Sequence, residues 1–483
     1  MSRSLPTAGA WPAALALGVL WTISACGDGP APQRDALTAS PAGPHGGFAA
    51  GSPAPISAAA VQAALRMSPV PPAPVDPTNL FDADPQAAEL GRLLFHSTAL
   101  SKDGDVSCAT CHLPEQSFVD GRRLALGVLP LERHTMPLWN LAHQRWFFWD
   151  GRADSLWSQS LVPIEDPLEH AFTRAGVAHA IHDDPELRQR YERVFGALPP
   201  LEDALRFPAI ARPVPANDRA HQLADEHARA KRGDEEHHTH LFGSGFRHPH
   251  QRAWDAMAAE DQEAVTSVFV NVGKALAAFQ RLIESRDAPF DRFVAGLREG
   301  DPAGVASLSD SAARGFELFV GKARCISCHG GPLFTDLEFH DTGVPEVPGA
   351  PVDDPGRARG LEALRAFEFG VRSRWSDDPE GPAGVKVDFL PAAGHAHGPG
   401  EFKTPSLRSI ASTPPYMHNG AFETLEEVVS FYATRETARA TGTTEKILVP
   451  LGLSKEEQAD LVAFLRALTG APLDLARFAA PNR

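Results

Sequence analysis

The sequence predicts a mainly α-helical fold built as two tandem units. Three observations carry this prediction. A Cys-x-x-Cys-His motif occurs twice, as CATCH at residues 108–112 and as CISCH at residues 325–329. A short amphipathic segment leads into each motif, ELGRLLF from Glu89 and RGFELFVGKA from Arg314. Elsewhere, runs with strand-like alternation are few.

The chain has 483 residues, 43% hydrophobic and 22% charged, enough for two or three domains and a sizeable core. A net charge of −16 argues against nucleic acid as a partner and permits, without requiring, a basic protein partner. The chain opens MSRSLPTAGAWPAALALGVLWTISAC. Arg3 gives a positive start, and the apolar run Trp11–Ile23 is too short to span a bilayer comfortably, so residues 1–26 read as a signal peptide. The run ends in Ile23-Ser24-Ala25-Cys26, similar to a bacterial lipobox, which implies cleavage before Cys26 and lipidation of its thiol. The alternative is an ordinary signal peptide with an incidental cysteine. The expected location is the periplasmic side of a bacterial membrane, held by a lipid anchor only. Gly27 leaves inner or outer membrane open. Residues 27–78, rich in Pro, Ala, Gly and Ser, are expected to form a flexible tether.

The body divides into a first unit over 79–300, with an insert at about 200–262, and a second unit over 301–483. Of five cysteines, Cys26 belongs to the lipobox, and Cys108, Cys111, Cys325 and Cys328 fall in the two motifs. Two thiols three residues apart can form thioethers to the haem vinyls, and the next residue brings its imidazole under the iron, making His112 and His329 the proximal ligands. A zinc site or disulfides are the alternatives, but neither explains a histidine directly after both pairs. Two covalent c-type haems are therefore expected. Near the end, LSKEEQADLVAFLRALTG reads as a helix with Ser454 as N-cap, Glu457 in a capping box and Gly470 as stop. The insert carries His237, His238, His240, His248 and His250, which could bind a transition metal; mixed charge without periodicity favours a solvated loop.

The two motifs, together with FFWDGRADSLWSQ, VNVGKALAAFQRLI, LFVGKARCISCHGGPLFTD and FKTPSLRSIASTPPYMHNG, resemble the bacterial di-haem cytochrome c peroxidase/MauG family. The resemblance spans roughly residues 85–200 and 262–470. It implies two cytochrome c-like domains with haems facing a shared interface. It also gives meaning to Trp149, Gln159 and Glu169, which fall ten residues apart. At about 100° per residue they cannot share one helical face. The resemblance places the tryptophan between the haems and the other two in the distal pocket of the first haem, with Pro163 matching a pocket proline. A carboxylate there can move the proton that heterolytic O–O cleavage of hydrogen peroxide requires, and this role is assigned to Glu169. Gln159 would orient peroxide, and Trp149 would relay electrons.

The resemblance has departures. Peroxide-detoxifying members carry a displaceable histidine where this chain has Val128, so a five-coordinate first haem is expected. They carry a methionine fourteen residues after the histidine of the PYxH motif, here His418; the matching residue is Tyr432, as in MauG. A phenolate would stabilise ferric and higher oxidation states. The alternative for Tyr432 is a core aromatic. The family's interdomain calcium uses carbonyls matching Thr413 and Pro415, but its asparagine is His134 here, a poor ligand for a hard cation, so calcium is left open. Three readings compete: a MauG-like peroxidase oxidising an unidentified donor protein or small reductant, a peroxidase fed by a small cytochrome or cupredoxin, and a non-enzymatic electron carrier.

Overall fold

Each Cys-x-x-Cys-His loop is preceded by the helix the sequence predicts. Pro85–His96 starts at Asp84, whose carboxylate accepts the N–H groups of Gln86 and Ala87. Asp310–Val320 starts at Ser309, whose hydroxyl accepts from Ala312. The computed structural model describes residues 56–214, 248–391, 400–439 and 444–480. In it both helices cross a partner helix at a glycine. A Cβ on Gly91 would run into the carbonyl of Ala275 on the 22-residue helix Ala259–Gln280, and one on Gly315 would run into the carbonyl of Asp460 on Lys455–Arg466. Only glycine lets two backbones approach so closely. The repeat seen faintly in the sequence is thus a repeated crossing: entry helix, glycine contact, haem-type loop, closing helix.

Two hydrophobic clusters follow from these crossings. The first gathers Leu90, Phe95, Trp157, Leu161, Phe269 and Leu276. The second is built on phenylalanines, with the Phe464 ring 5.1 Å from Phe316 and 5.0 Å from Phe319. Each such ring, fully buried, contributes roughly 1.5–3 kcal/mol. The closing helix of the second cluster has the expected capping box: the Ser454 hydroxyl accepts from the Glu457 N–H, and the Glu457 carboxylate accepts from the Ser454 N–H. It ends at Arg466, ahead of Gly470.

The clusters do not part at residue 300, and the segment expected as a tether, 27–78, is folded over its last part. Residues 56–78 are structured, and the helix Ala58–Arg66 buries Ala60, Ala63 and Ala64 in the second cluster beside Met67. Their spacing of three and four residues is helical. Alanine-rich composition hid it in the sequence. Phe290, Phe293 and Val294 also join the second cluster, while Phe478 returns to the first, 5.9 Å from Phe118. Both ends of the expected insert join the core, because Leu201, Phe207, Ala211 and Met257 are buried in the first cluster. Of its histidines, His237, His238 and His240 lie outside the described residues, as does Cys26. His250 bonds the Ile210 carbonyl at 2.7 Å, with its ring beside that of His248.

A two-stranded antiparallel sheet, Phe339–Asp341 with Glu401–Lys403, pairs Phe339 with Lys403. The Lys403 N–H donates to the Trp149 carbonyl at 2.8 Å, so this sheet reaches the first unit. Among the described residues no helix is long and apolar enough to cross a membrane.

Candidate active site

The two haem-type loops share one proximal geometry. His112 Nδ1 bonds the Phe118 carbonyl at 3.1 Å, and His329 Nδ1 bonds the Phe334 carbonyl at 2.8 Å. Both phenylalanines are fully buried and both sit in the left-handed region, at φ 62° and 55°. This turn aims each carbonyl back at its histidine. With Nδ1 engaged, Nε2 is the nitrogen left to ligate iron, and a bonded Nδ1 is what fixes the orientation of a ligating imidazole. Burial holds both histidines below their usual pKa, so they are neutral. The four motif cysteines form no disulfide.

A cavity of about 340 Å³ opens beside Cys108, Cys111 and His112, and Trp149, Gln159, Pro163 and Glu169 all line it. The ladder therefore converges through three different elements. Trp149 sits in the loop before the helix, its indole N–H donating to the His134 carbonyl at 2.9 Å. Gln159 lies on the helix Leu156–Glu165, capped by Ser155, and Pro163 occupies the last turn of that helix. Glu169 follows in a turn, where its N–H donates to the Asp166 carbonyl. A neighbouring loop fixes that turn: Val128 N–H donates to the Glu169 carbonyl at 2.9 Å and Leu129 N–H to the Leu168 carbonyl at 3.0 Å. Gly127 lines the cavity and Val128 does not.

These residues suit a haem with a reacting ligand. The walls are largely apolar. Gln159 Oε1 is buried with no hydrogen-bond partner among the described residues, a polar atom poised for a group the cavity would hold. Burial, reinforced by Asp166 and opposed by Arg152, pushes the Glu169 carboxyl up to about 8. Arg152 Nη2 stands 3.9 Å from Glu169 Oε1, and its guanidinium lies over the Phe148 ring at 3.6 Å. Arg152 also meets Asp150, which is bonded by Arg133 at 2.6 Å, and Arg133 in turn grips Asp354 with two bonds of 2.8 Å. Burial works against the ionised Asp150 carboxylate, yet Arg133 and Arg152 hold it well below the ordinary range. This buried charge chain runs from the cavity to a loop of the second unit.

The second loop faces different groups. Tyr432 lies on the helix Leu425–Thr434, within electrostatic reach of both Cys325 and Cys328. The structure thus brings Tyr432 to the second motif. Burial pushes its phenol up to about 12, with Thr342 and Arg435 working against the shift. His418 stacks on Phe402 at 3.6 Å and burial drives it down to about 3. The His418 carbonyl accepts from the His134 N–H at 2.8 Å, so Trp149, His134 and His418 form one hydrogen-bonded thread between the units.

The expected calcium ligands do not make a fitting site. Thr413 and Pro415 offer carbonyls, but His134 Nδ1 is already bonded to the Arg122 carbonyl at 2.8 Å, and the imidazole lines the haem-type cavity. Calcium requires hard oxygen donors, which this position lacks. A Cys328, Asp336 and His340 grouping could hold a metal, but Cys328 is one of the haem-type thiols. Sequence reasoning missed Arg152 and Lys403, although both stand in quoted stretches, FWDGR and FKTPSLR. Only the fold shows that they face the cavity.

Comparisons with known proteins agree with this geometry. The sequence model of the di-haem cytochrome c peroxidase family matches residues 85–220. The chain is 30% identical over 407 residues to cytochrome-c peroxidase IdrP1 of Denitromonas iodatirespirans, covering 83% of this chain and 86% of that protein. It is 30% identical over 391 residues to methylamine utilization protein MauG of Methylorubrum extorquens, covering 80% and 79%. In fold it is similar to the diheme peroxidase BthA from Burkholderia thailandensis, with TM-score 0.54 at 22% identity over 85% of this chain and 93% of that one. With two haem-type loops of common geometry, an acid-bearing cavity at one of them and relatives of this length and identity, the chain belongs to the di-haem cytochrome c peroxidase/MauG family.

Proposed function

We propose that this oxidoreductase reduces hydrogen peroxide in the cavity beside His112 and passes the oxidising equivalents through Trp149 to a second haem held by His329 and Tyr432. The observation that carries this reading is the convergence of Glu169, Gln159 and Trp149 on the cavity that holds Cys108, Cys111 and His112. Cys108 and Cys111 would attach the first haem covalently, and Cys325 and Cys328 the second. When bound, the first haem supplies an open iron position and the electrons that cleave the O–O bond. Val128 carries no ligating atom and stays off the cavity wall, which supports a five-coordinate iron.

The chain's own residues supply the proton chemistry. Gln159, with an unengaged amide oxygen, orients peroxide by accepting its hydrogen bond. Ionised Glu169 takes the proton from one peroxide oxygen and delivers it to the other, which leaves as water. Reduction of one peroxide consumes two electrons and two protons and yields two waters. Trp149 lies one hydrogen bond from the His134 backbone and two from His418. Burial keeps the Tyr432 phenol protonated in the chain alone; a ferric iron facing it would supply the charge that releases its proton. Tyr432 favours a MauG-like sharing of oxidising charge over the alternative of peroxidase turnover fed by a small cytochrome or cupredoxin. The cavity acid and amide disfavour a non-enzymatic carrier. The electron donor is a protein or small reductant, and the lipobox at Cys26 supports a lipoprotein on the periplasmic side of the membrane.

The test is a titration of the ferric holoprotein with hydrogen peroxide, followed by absorbance. A stoichiometric spectral change in the wild type, lost or slowed at least about 100-fold in Glu169→Gln, is expected. An unchanged Glu169→Gln reaction would remove Glu169 from the mechanism.

A further inference from the structure

The first cavity contains a cation with no counter-charge. Lys403 is 3% exposed and lines the same wall as Trp149 and Gln144. Its ammonium donates to the Gln144 side-chain oxygen at 2.9 Å, a neutral partner. Among the described residues no carboxylate lies within ion-pair distance of it. The other cations on this wall are compensated: Arg133 by Asp150 and Asp354, Arg152 by Asp150, and Arg359 by Glu132 at 2.9 Å. The buried Lys274 also has a carboxylate, Asp377, at 2.8 Å.

An ammonium buried without an anion is strongly disfavoured. Burial alone draws Lys403 down to about 8 in the isolated chain. Its position is nonetheless tightly built. The backbone N–H is bonded to the Trp149 carbonyl at 2.8 Å, and the residue sits in register with Phe339 in the two-stranded sheet. A cation fixed this firmly and left uncompensated points to an anion that the described residues do not provide. Hydrogen peroxide is neutral near pH 7 and cannot serve. A haem in this cavity brings two carboxylates of its own.

We propose that Lys403 is the cationic partner of a first-haem propionate, so that a strand of the second unit clamps the charged edge of the haem in the first. The proposal rests on reading this cavity as a haem site and is independent of the role given to Glu169. A fixed positive charge at the haem edge favours the reduced iron, because reduction removes positive charge from the site. Lys403 therefore raises the potential of the first haem.

The test is a spectroscopically monitored redox titration of wild-type, Lys403→Met and Lys403→Arg holoproteins, with resonance Raman spectra of each. In Lys403→Met the first-haem midpoint should move negative while the second stays in place. Lys403→Arg should keep the midpoint near the wild-type value and shift the propionate bending band, which keeps the test decisive if the methionine variant does not fold. An unchanged first-haem midpoint in Lys403→Met, or an unmoved propionate band in Lys403→Arg, would overturn the proposal. So would a saturable response of the wild-type spectrum to acetate that Lys403→Met abolishes, because the amine would then hold a free carboxylate. A holoprotein carrying haem only at Cys325 and Cys328 would instead remove the reading of the first cavity on which the proposal rests.

Discussion

The two Cys-x-x-Cys-His loops are nearly the same on their proximal sides and different on their distal sides. Both anchor the histidine through Nδ1 to the carbonyl of a buried, left-handed phenylalanine, and both follow a helix that crosses its partner at a glycine. Beyond the iron position they diverge. The first presents Glu169 and Gln159 in a cavity, and the second presents Tyr432 near its thiols. The proximal frame thus belongs to the fold, while the distal groups divide the chemistry. Under the proposed function, the first iron would be left open for a substrate and the second closed by Tyr432.

The largest expected effect that sharpens this division is at Glu169. Glu169→Gln should slow the reaction with peroxide by about 10²–10⁴-fold, as removal of a general acid–base does, while Tyr432→Phe leaves that first step intact. Rapid-mixing kinetics on both variants would separate the sites, and equal losses in both would merge them. The next effect concerns the charge chain that ties the units together. Arg133→Met leaves Asp150 and Asp354 buried without their shared cation and should lower unfolding stability by about 3–5 kcal/mol in denaturant titration. A loss below about 1 kcal/mol would mean the chain is not structural.

Gly91→Ala and Gly315→Ala test the shared frame. Each forces apart two packed helices, and each should cost about 1–3 kcal/mol by the same assay. A marked difference between them would show that the two crossings are not equivalent. The smallest effect is a pH dependence. Glu169 has its folded pKa raised, so the carboxyl is protonated below about 8 and gains its basic form as pH rises through that value. The rate of reaction with peroxide should rise across that range in the wild type and stay flat in Glu169→Gln. The linked stability has the opposite sense: the folded state holds this proton more tightly than the unfolded one, so the contribution is full below the usual carboxylate range and is lost as pH rises through about 8.

Much of this was legible in the sequence, for identifiable reasons. The haem-type loops are local, since the two cysteines and the histidine fall within five positions, and the entry helices carry ordinary caps and periodicity. Trp149, Gln159 and Glu169 were legible only through resemblance, because their spacing has no helical meaning and tertiary structure joins them. Residues 56–78 were misread because the alanine periodicity of Ala60, Ala63 and Ala64 resembles low complexity until Phe290 and its neighbours supply a surface for it. Phe478 and Met67 were unreadable for the same reason: each is buried by residues more than 150 positions away. Lys403 lies in a recognisable stretch, but nothing local says that its amine ends in the cavity of the other unit.

The asymmetry of the two irons is the central claim, and electron paramagnetic resonance of the ferric holoprotein tests it most directly. The account predicts one high-spin signal from the open first haem and one low-spin signal from the second, in equal amounts. Cyanide should convert only the high-spin signal, and Tyr432→Phe should alter only the low-spin one. Two low-spin signals, both indifferent to cyanide, would contradict it.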